Sequence, residues 1–140
     1  MNDSFLASII AVIVLGGALF VWNYVPQRLR RKRFDYRPEL NLDEIYREYF
    51  AAKKLPKDLT CELWREVSET LRLPFGKLRP TDRFDQELAA PKGWEYDDEI
   101  VDLQWAAERR LKRIGGQADL SQIKTVADYI ELFCKLQARP

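Results

Sequence analysis

The chain has 140 residues, and once one apolar stretch is set aside, what remains can fold in water as a single domain with a modest core but not as two. It contains no histidine, which excludes histidine-based triads and ordinary zinc sites, and its two cysteines, Cys61 and Cys134, are too far apart for a metal or redox pair. Both cysteines are therefore expected as small core residues in a reducing compartment. The near-zero net charge conceals an asymmetry: six basic residues crowd into positions 28–37, while positions 38–140 carry 17 basic and 20 acidic side chains. An acidic body with a basic tether excludes nucleic acid as the main ligand, because phosphate neutralisation needs a basic face on the fold.

From residue 5 to residue 22 the only polar side chain is Ser8. Continued to Val25, this stretch forms a helix of roughly 30 Å, enough to cross a bilayer. Trp22 and Tyr24 fall where aromatic rings favour the headgroup level, and Pro26 follows where a helix can stop. A cleaved signal peptide would want positive charge before the apolar stretch and a small-residue site after it; here Asp3 precedes and Arg and Lys follow. The positive-inside rule then places the N-terminus outside and the rest in the cytoplasm, as in a single-pass protein of a bacterial inner membrane. Arg28, Arg30, Arg31, Lys32 and Arg33 act as the topology signal and are also candidates for binding anionic lipid. Gly16-Gly17 would permit close approach of another helix.

Residues 26–40 read as a basic juxtamembrane linker, and residues 41–140 as a helical domain. Asn41 with Glu44 forms a capping-box pattern for a helix to about Lys54, striped by Leu42, Ile45, Tyr46, Tyr49 and Phe50 and ended by Pro56. A second helix starts near Asp58 or Thr60, carries Leu63, Trp64, Val67 and Leu71, and stops before Pro74. Residues 73–90 form a long connection whose inward anchors should be Phe75, Leu78, Phe84 and Leu88. The clearest helix follows, over about 97–114, with Ile100, Leu103, Ala107, Leu111 and Ile114 on one face and Gly115-Gly116 at its end. After a short turn near residues 120–123, Thr125 with Asp128 caps a last helix striped by Val126, Ile130 and Phe133. No segment of strand length alternates, so the fold class is all-α.

Residues 63–133 resemble an acyl carrier protein, with the likeness extending over about 59–136. Lys77-Leu78-Arg79-Pro80-Thr81-Asp82-Arg83-Phe84 is similar to the carrier loop that ends in a buried Phe, and Ile123-Lys124-Thr125-Val126 is similar to the carrier ending of Ile, one residue, then Thr-Val. Carriers open their second helix with Asp-Ser-Leu-Asp, whose serine receives phosphopantetheine. Aligning Val101-Asp102-Leu103 with the carrier Val-Glu-Leu puts Asp97 at the serine position, and a carboxylate cannot form the phosphodiester. The insertion at 89–96, with Pro91, Gly93 and Trp94, departs from carriers. The resemblance thus implies a carrier fold without the carrier's cofactor, and not an enzyme.

Asp97, Asp98, Glu99 and Asp102 gather at a helix start, where they complement the dipole and, by the same resemblance, would dock a basic protein partner; Trp94 joins them as a docking candidate. Adjacent helical carboxylates diverge, so no metal site is expected. Trp64 is expected in the core, and Trp105 as core or interface anchor. Arg109, Arg110, Lys112 and Arg113 complement the other end of the same helix. The function expected is a membrane-tethered, non-catalytic module that docks a protein partner in or at the membrane. The alternatives are a working carrier or accessory protein of acyl or lipid metabolism, and an immunity-type or inhibitor partner.

Overall fold

The computed structural model describes residues 3–90 and 99–138, with the exception of the Asn23 side chain. Its helices are α1 (Asp3–Lys32), α2 (Leu42–Ile45), α3 (Lys57–Thr70), α4 (Glu99–Ile114) and α5 (Val126–Gln137), and no strand occurs among the described residues. The all-α expectation is met.

The first helix, α1, is apolar on every side over its N-terminal two-thirds and contributes none of that stretch to the core, so it is long and apolar enough to cross a membrane. It does not stop at Pro26. The helix runs on to Lys32, and Pro26, Arg30 and Phe34, spaced four residues apart, are all buried. That stripe explains why the helix continues: its C-terminal end is held by packing, with Phe34 part of the core. Residues 26–40 are therefore not a spacer. They lie against the domain, ending where the Leu40 amide donates to the Gly76 carbonyl at 3.0 Å.

The capping box at Asn41 and Glu44 forms as expected, with both reciprocal bonds at 2.8 Å. α2 then widens into a π-helical turn over Tyr46–Phe50 before a 3-10 turn at Ala51–Lys53. The i to i+5 geometry brings Ile45 and Phe50 inward together, which an ideal α-helix would not do. The left-handed Lys54 ends the run ahead of Pro56. In α3, Leu63, Trp64 and Val67 are buried, with Leu71 at its end; Trp64 meets Phe50 edge to face at 5.8 Å and donates its indole N–H to the Phe75 carbonyl at 2.9 Å.

The connection over residues 73–90 folds through its own anchors. Leu78 and Leu88 are buried and Phe84 is half-buried, but Phe75 points outward. Gly76 takes the inward place instead, because a Cβ there would come within 2.5 Å of the Leu40 carbonyl oxygen. The loop is then stitched to the start of α5: Phe84 donates to the Lys124 carbonyl, Val126 to that of Asp82 and Ala127 to that of Pro80, all at 3.0–3.1 Å. Thr125 and Asp128 form the second expected capping box. Val126, Tyr129, Ile130, Phe133 and Cys134 pack α5 into the core, while Cys61 is only half-buried. Leu103, Ala107 and Leu111 carry the buried face of α4, flanked by the partly buried Ile100 and Ile114, and Gly115, at φ +66, ends the helix.

Candidate functional site

The start of α4 meets the C-terminal end of α1. Glu99 and Arg30 are 7% and 2% exposed and form an ion pair with each other. Around it the basic run is tied to the domain at several points. Arg31 donates Nε to the Arg72 carbonyl at 3.2 Å, and Arg33 donates to the Ala89 carbonyl at 2.8 Å. Arg37 grips Asp82 with two bonds of 2.7 and 2.8 Å and lies 4.7 Å from the Phe34 ring centroid. The Asp82 bond, against the cost of burial, pushes the Arg37 guanidinium above its ordinary range and keeps it charged. Asp82 also accepts the Arg79 amide, so one buried carboxylate joins the segment after α1 to the loop.

Two sequence-based expectations are corrected here. Arg30, a candidate for anionic lipid, is enclosed by protein and cannot reach a headgroup. Glu99, a candidate for partner docking, is enclosed with it. The physical reason is the same for both: a buried charge persists only when paired, and each is the other's partner across 69 positions of sequence. Arg28, Arg31, Lys32 and Arg33 remain exposed. Asp97, Asp98 and Trp94 lie outside the described residues.

Beyond Glu99, α4 turns Val101, Asp102, Gln104, Trp105 and Glu108 to solvent. Val101 and Trp105, one helical turn apart, are 44% and 55% exposed, an apolar pair on the outer face. Beside them opens a pocket of about 320 Å³, lined mainly by Phe84, Ile100, Leu103, Ala107, Leu120 and Ile123, with Gln104 and Ser121 as polar lining residues. The pocket lies between α4 and the short 3-10 turn at Leu120–Gln122, which the Asp119 side chain caps. Among the described residues no group of three or more His, Cys, Asp or Glu is placed to hold a metal ion.

A second polar cluster ties the far half of α4 to its neighbours. Arg110 is 8% exposed and bonds Glu66 at 2.6 Å, Glu62 at 3.1 Å and Gln137 at 3.2 Å, joining α3, α4 and α5. Burial works against its charge, but the Glu66 bond and the attraction of both carboxylates prevail and raise its pKa. The Tyr129 hydroxyl is buried and has no hydrogen-bond partner among the described residues, and burial pushes its pKa well up.

Sequence reasoning thus located α4 and its acidic start, but missed the inward roles of Arg30 and Arg110 and the exposed pair Val101–Trp105. The pair was detectable: Val101 and Trp105 fall off the face defined by Ile100, Leu103, Ala107 and Leu111. Compared with protein-family models, curated proteins and solved structures, the chain matches none.

Proposed function

We propose that the protein is a membrane-tethered, non-catalytic binding module of acyl-carrier-like design, held on the cytoplasmic side, whose outer α4 face docks a protein partner. The observation that carries this reading is the exposed Val101–Trp105 pair beside an open apolar pocket, with Asp102 between the two residues in sequence. Tryptophan is over-represented among the residues that anchor binding interfaces. The exposed carboxylate of Asp102 favours a partner segment that is basic around an apolar anchor. Orientation follows from the basic flank of the apolar span.

A photo-crosslinker at position 101 in the full chain, in native membranes, tests the reading. It should trap a discrete partner that is not trapped from Lys57 on another helix, and Trp105→Ala or Asp102→Lys should abolish the adduct. Equal labelling from both positions, or an adduct indifferent to both substitutions, would count against it.

The apolar pocket also favours a second reading, an accessory of acyl or lipid metabolism that receives an aliphatic group. Intact mass after incubation with a phosphopantetheinyl transferase separates the two, since a stable mass increase belongs only to a working carrier.

A further inference from the structure

The structure sorts the basic run by face. Pro26, Arg30 and Phe34 form the side of α1 that packs on the domain, and Arg33, just past the helix end, bends to the Glu87 and Ala89 carbonyls. On the other side Tyr24, Gln27, Arg28, Arg31, Lys32 and Asp35 line one shallow hollow of about 240 Å³. Arg28 and Lys32 make no ion pair among the described residues, and Arg31 spends only its Nε on the Arg72 carbonyl. The three guanidinium and ammonium heads are therefore free toward solvent.

We infer that this hollow is a binding site for the phosphate of an anionic phospholipid headgroup, formed by Arg28, Arg31 and Lys32 and bounded above by Tyr24. The inference rests on α1 spanning the membrane as proposed, and is independent of whether α4 docks a partner. Position supports it: at 1.5 Å per residue the three cations lie roughly 6 to 12 Å along the axis beyond Tyr24, and their long side chains, tilted toward the helix N-terminus, extend back toward the headgroup level that an aromatic ring marks. Charge supports it too, since three cations face one carboxylate. That carboxylate, Asp35, closes the end farthest from the apolar span, so it opposes a phosphate arriving from the aqueous side more than one hanging from the bilayer. Arg30 and Arg33, although in the same run, take no part.

The test is lipid retention by the full chain in nanodiscs of phosphatidylcholine mixed with phosphatidylglycerol, read by native mass spectrometry after gentle extraction. Wild type should keep phosphatidylglycerol in preference to phosphatidylcholine. Each of Arg28→Gln, Arg31→Gln and Lys32→Gln should lower that retention about fivefold, in line with roughly 1 kcal/mol for a juxtamembrane cation. Arg109→Gln, Lys112→Gln and Arg113→Gln, on the exposed end of α4, should leave it unchanged. Arg28→Gln is decisive on its own, because among the described residues Arg28 makes no hydrogen bond or ion pair to the domain and its loss cannot unfold it by that route.

The inference is overturned by unchanged retention in the α1 variants, by equal loss in the α4 variants, by equal retention of the two lipids, or by displacement of the lipid with millimolar inorganic phosphate, which would identify a free anion as the ligand. A chain that does not enter nanodiscs at all would overturn it through the membrane span, a failure distinct from loss of lipid preference.

Discussion

Two basic clusters, one ending α1 and one ending α4, look alike in sequence and behave alike in one respect. Each is a group of exposed cations containing a single arginine that is turned inward: Arg30 onto Glu99, and Arg110 onto Glu66, Glu62 and Gln137. They differ in what is joined. Arg110 unites three helices of the same domain, whereas Arg30 unites the domain with the helix that carries it out of the apolar span. The lesson is that a charge run should be divided by helical face before it is assigned one role, because the residue at the packed position answers to desolvation and its neighbours to solvent.

The largest expected effect falls on the better-enclosed pair. Glu99→Ala should destabilise the chain by about 3–5 kcal/mol, because it leaves the buried Arg30 charge without this carboxylate. Replacing both, with Arg30→Met and Glu99→Leu, should recover most of that loss or all of it. Urea unfolding of the detergent-solubilised protein, followed by tryptophan fluorescence, measures both; a single variant that unfolds like wild type would show the junction to be loose.

Glu66→Ala should cost less, about 1–3 kcal/mol, since Glu66 is partly exposed and Glu62 still holds Arg110. Glu62→Ala, at a side chain 62% exposed, should cost under about 1 kcal/mol. Reversal of that order in the same unfolding experiment would mean that Arg110 is held mainly from the solvent side.

Gly76→Ala tests the same junction without touching a charge. A methyl group 2.5 Å from the Leu40 carbonyl oxygen must push the segment after α1 away, at a cost of about 1–3 kcal/mol by overpacking, and increased hydrogen exchange at the Leu40 amide should accompany it.

The smallest effect belongs to Tyr129, beside the Arg110 cluster. Tyr129→Phe should change stability by under about 0.5 kcal/mol at neutral pH, since the buried hydroxyl has no bonded partner among the described residues to lose. At high pH the difference should grow. Burial raises the folded-state value of Tyr129 above its ordinary 10.0, and likewise raises the Cys134 thiol above 9.0, so the unfolded chain releases these protons first. Stability is then fully present below about pH 9 and falls as pH rises through the range between the unfolded and folded values. Tyr129→Phe should remove the part of that decline that begins near pH 10, visible as a flatter dependence of the urea midpoint on pH.

Local features were legible in the sequence. Both capping boxes, the helix end at Gly115 and the core place of Trp64 follow from residue types within a few positions of one another. The continuation of α1 past Pro26 was not legible, because a proline at the edge of an apolar span reads as a stop until the stripe of Pro26, Arg30 and Phe34 is given something to pack on. The inward turns of Arg30 and Arg110 depend on carboxylates 69 and more than 40 positions away, and no local pattern announces them. Of the candidate docking residues, Asp102 stands exposed where the sequence placed it, while Glu99 had already been claimed by the junction.

Because α1 passes without a break from its apolar stretch into the packed stripe, the domain has a set azimuth about the helix axis. Each residue of an α-helix turns through about 100°, so one alanine inserted between the apolar stretch and Pro26 would swing the outer α4 face by about that angle relative to the apolar surface of α1. Three or four inserted alanines would bring it nearly back to its starting bearing, one turn lower. A partner that reads both surfaces at once should therefore respond to insertion length periodically, whereas one that reads α4 alone should respond to none of them.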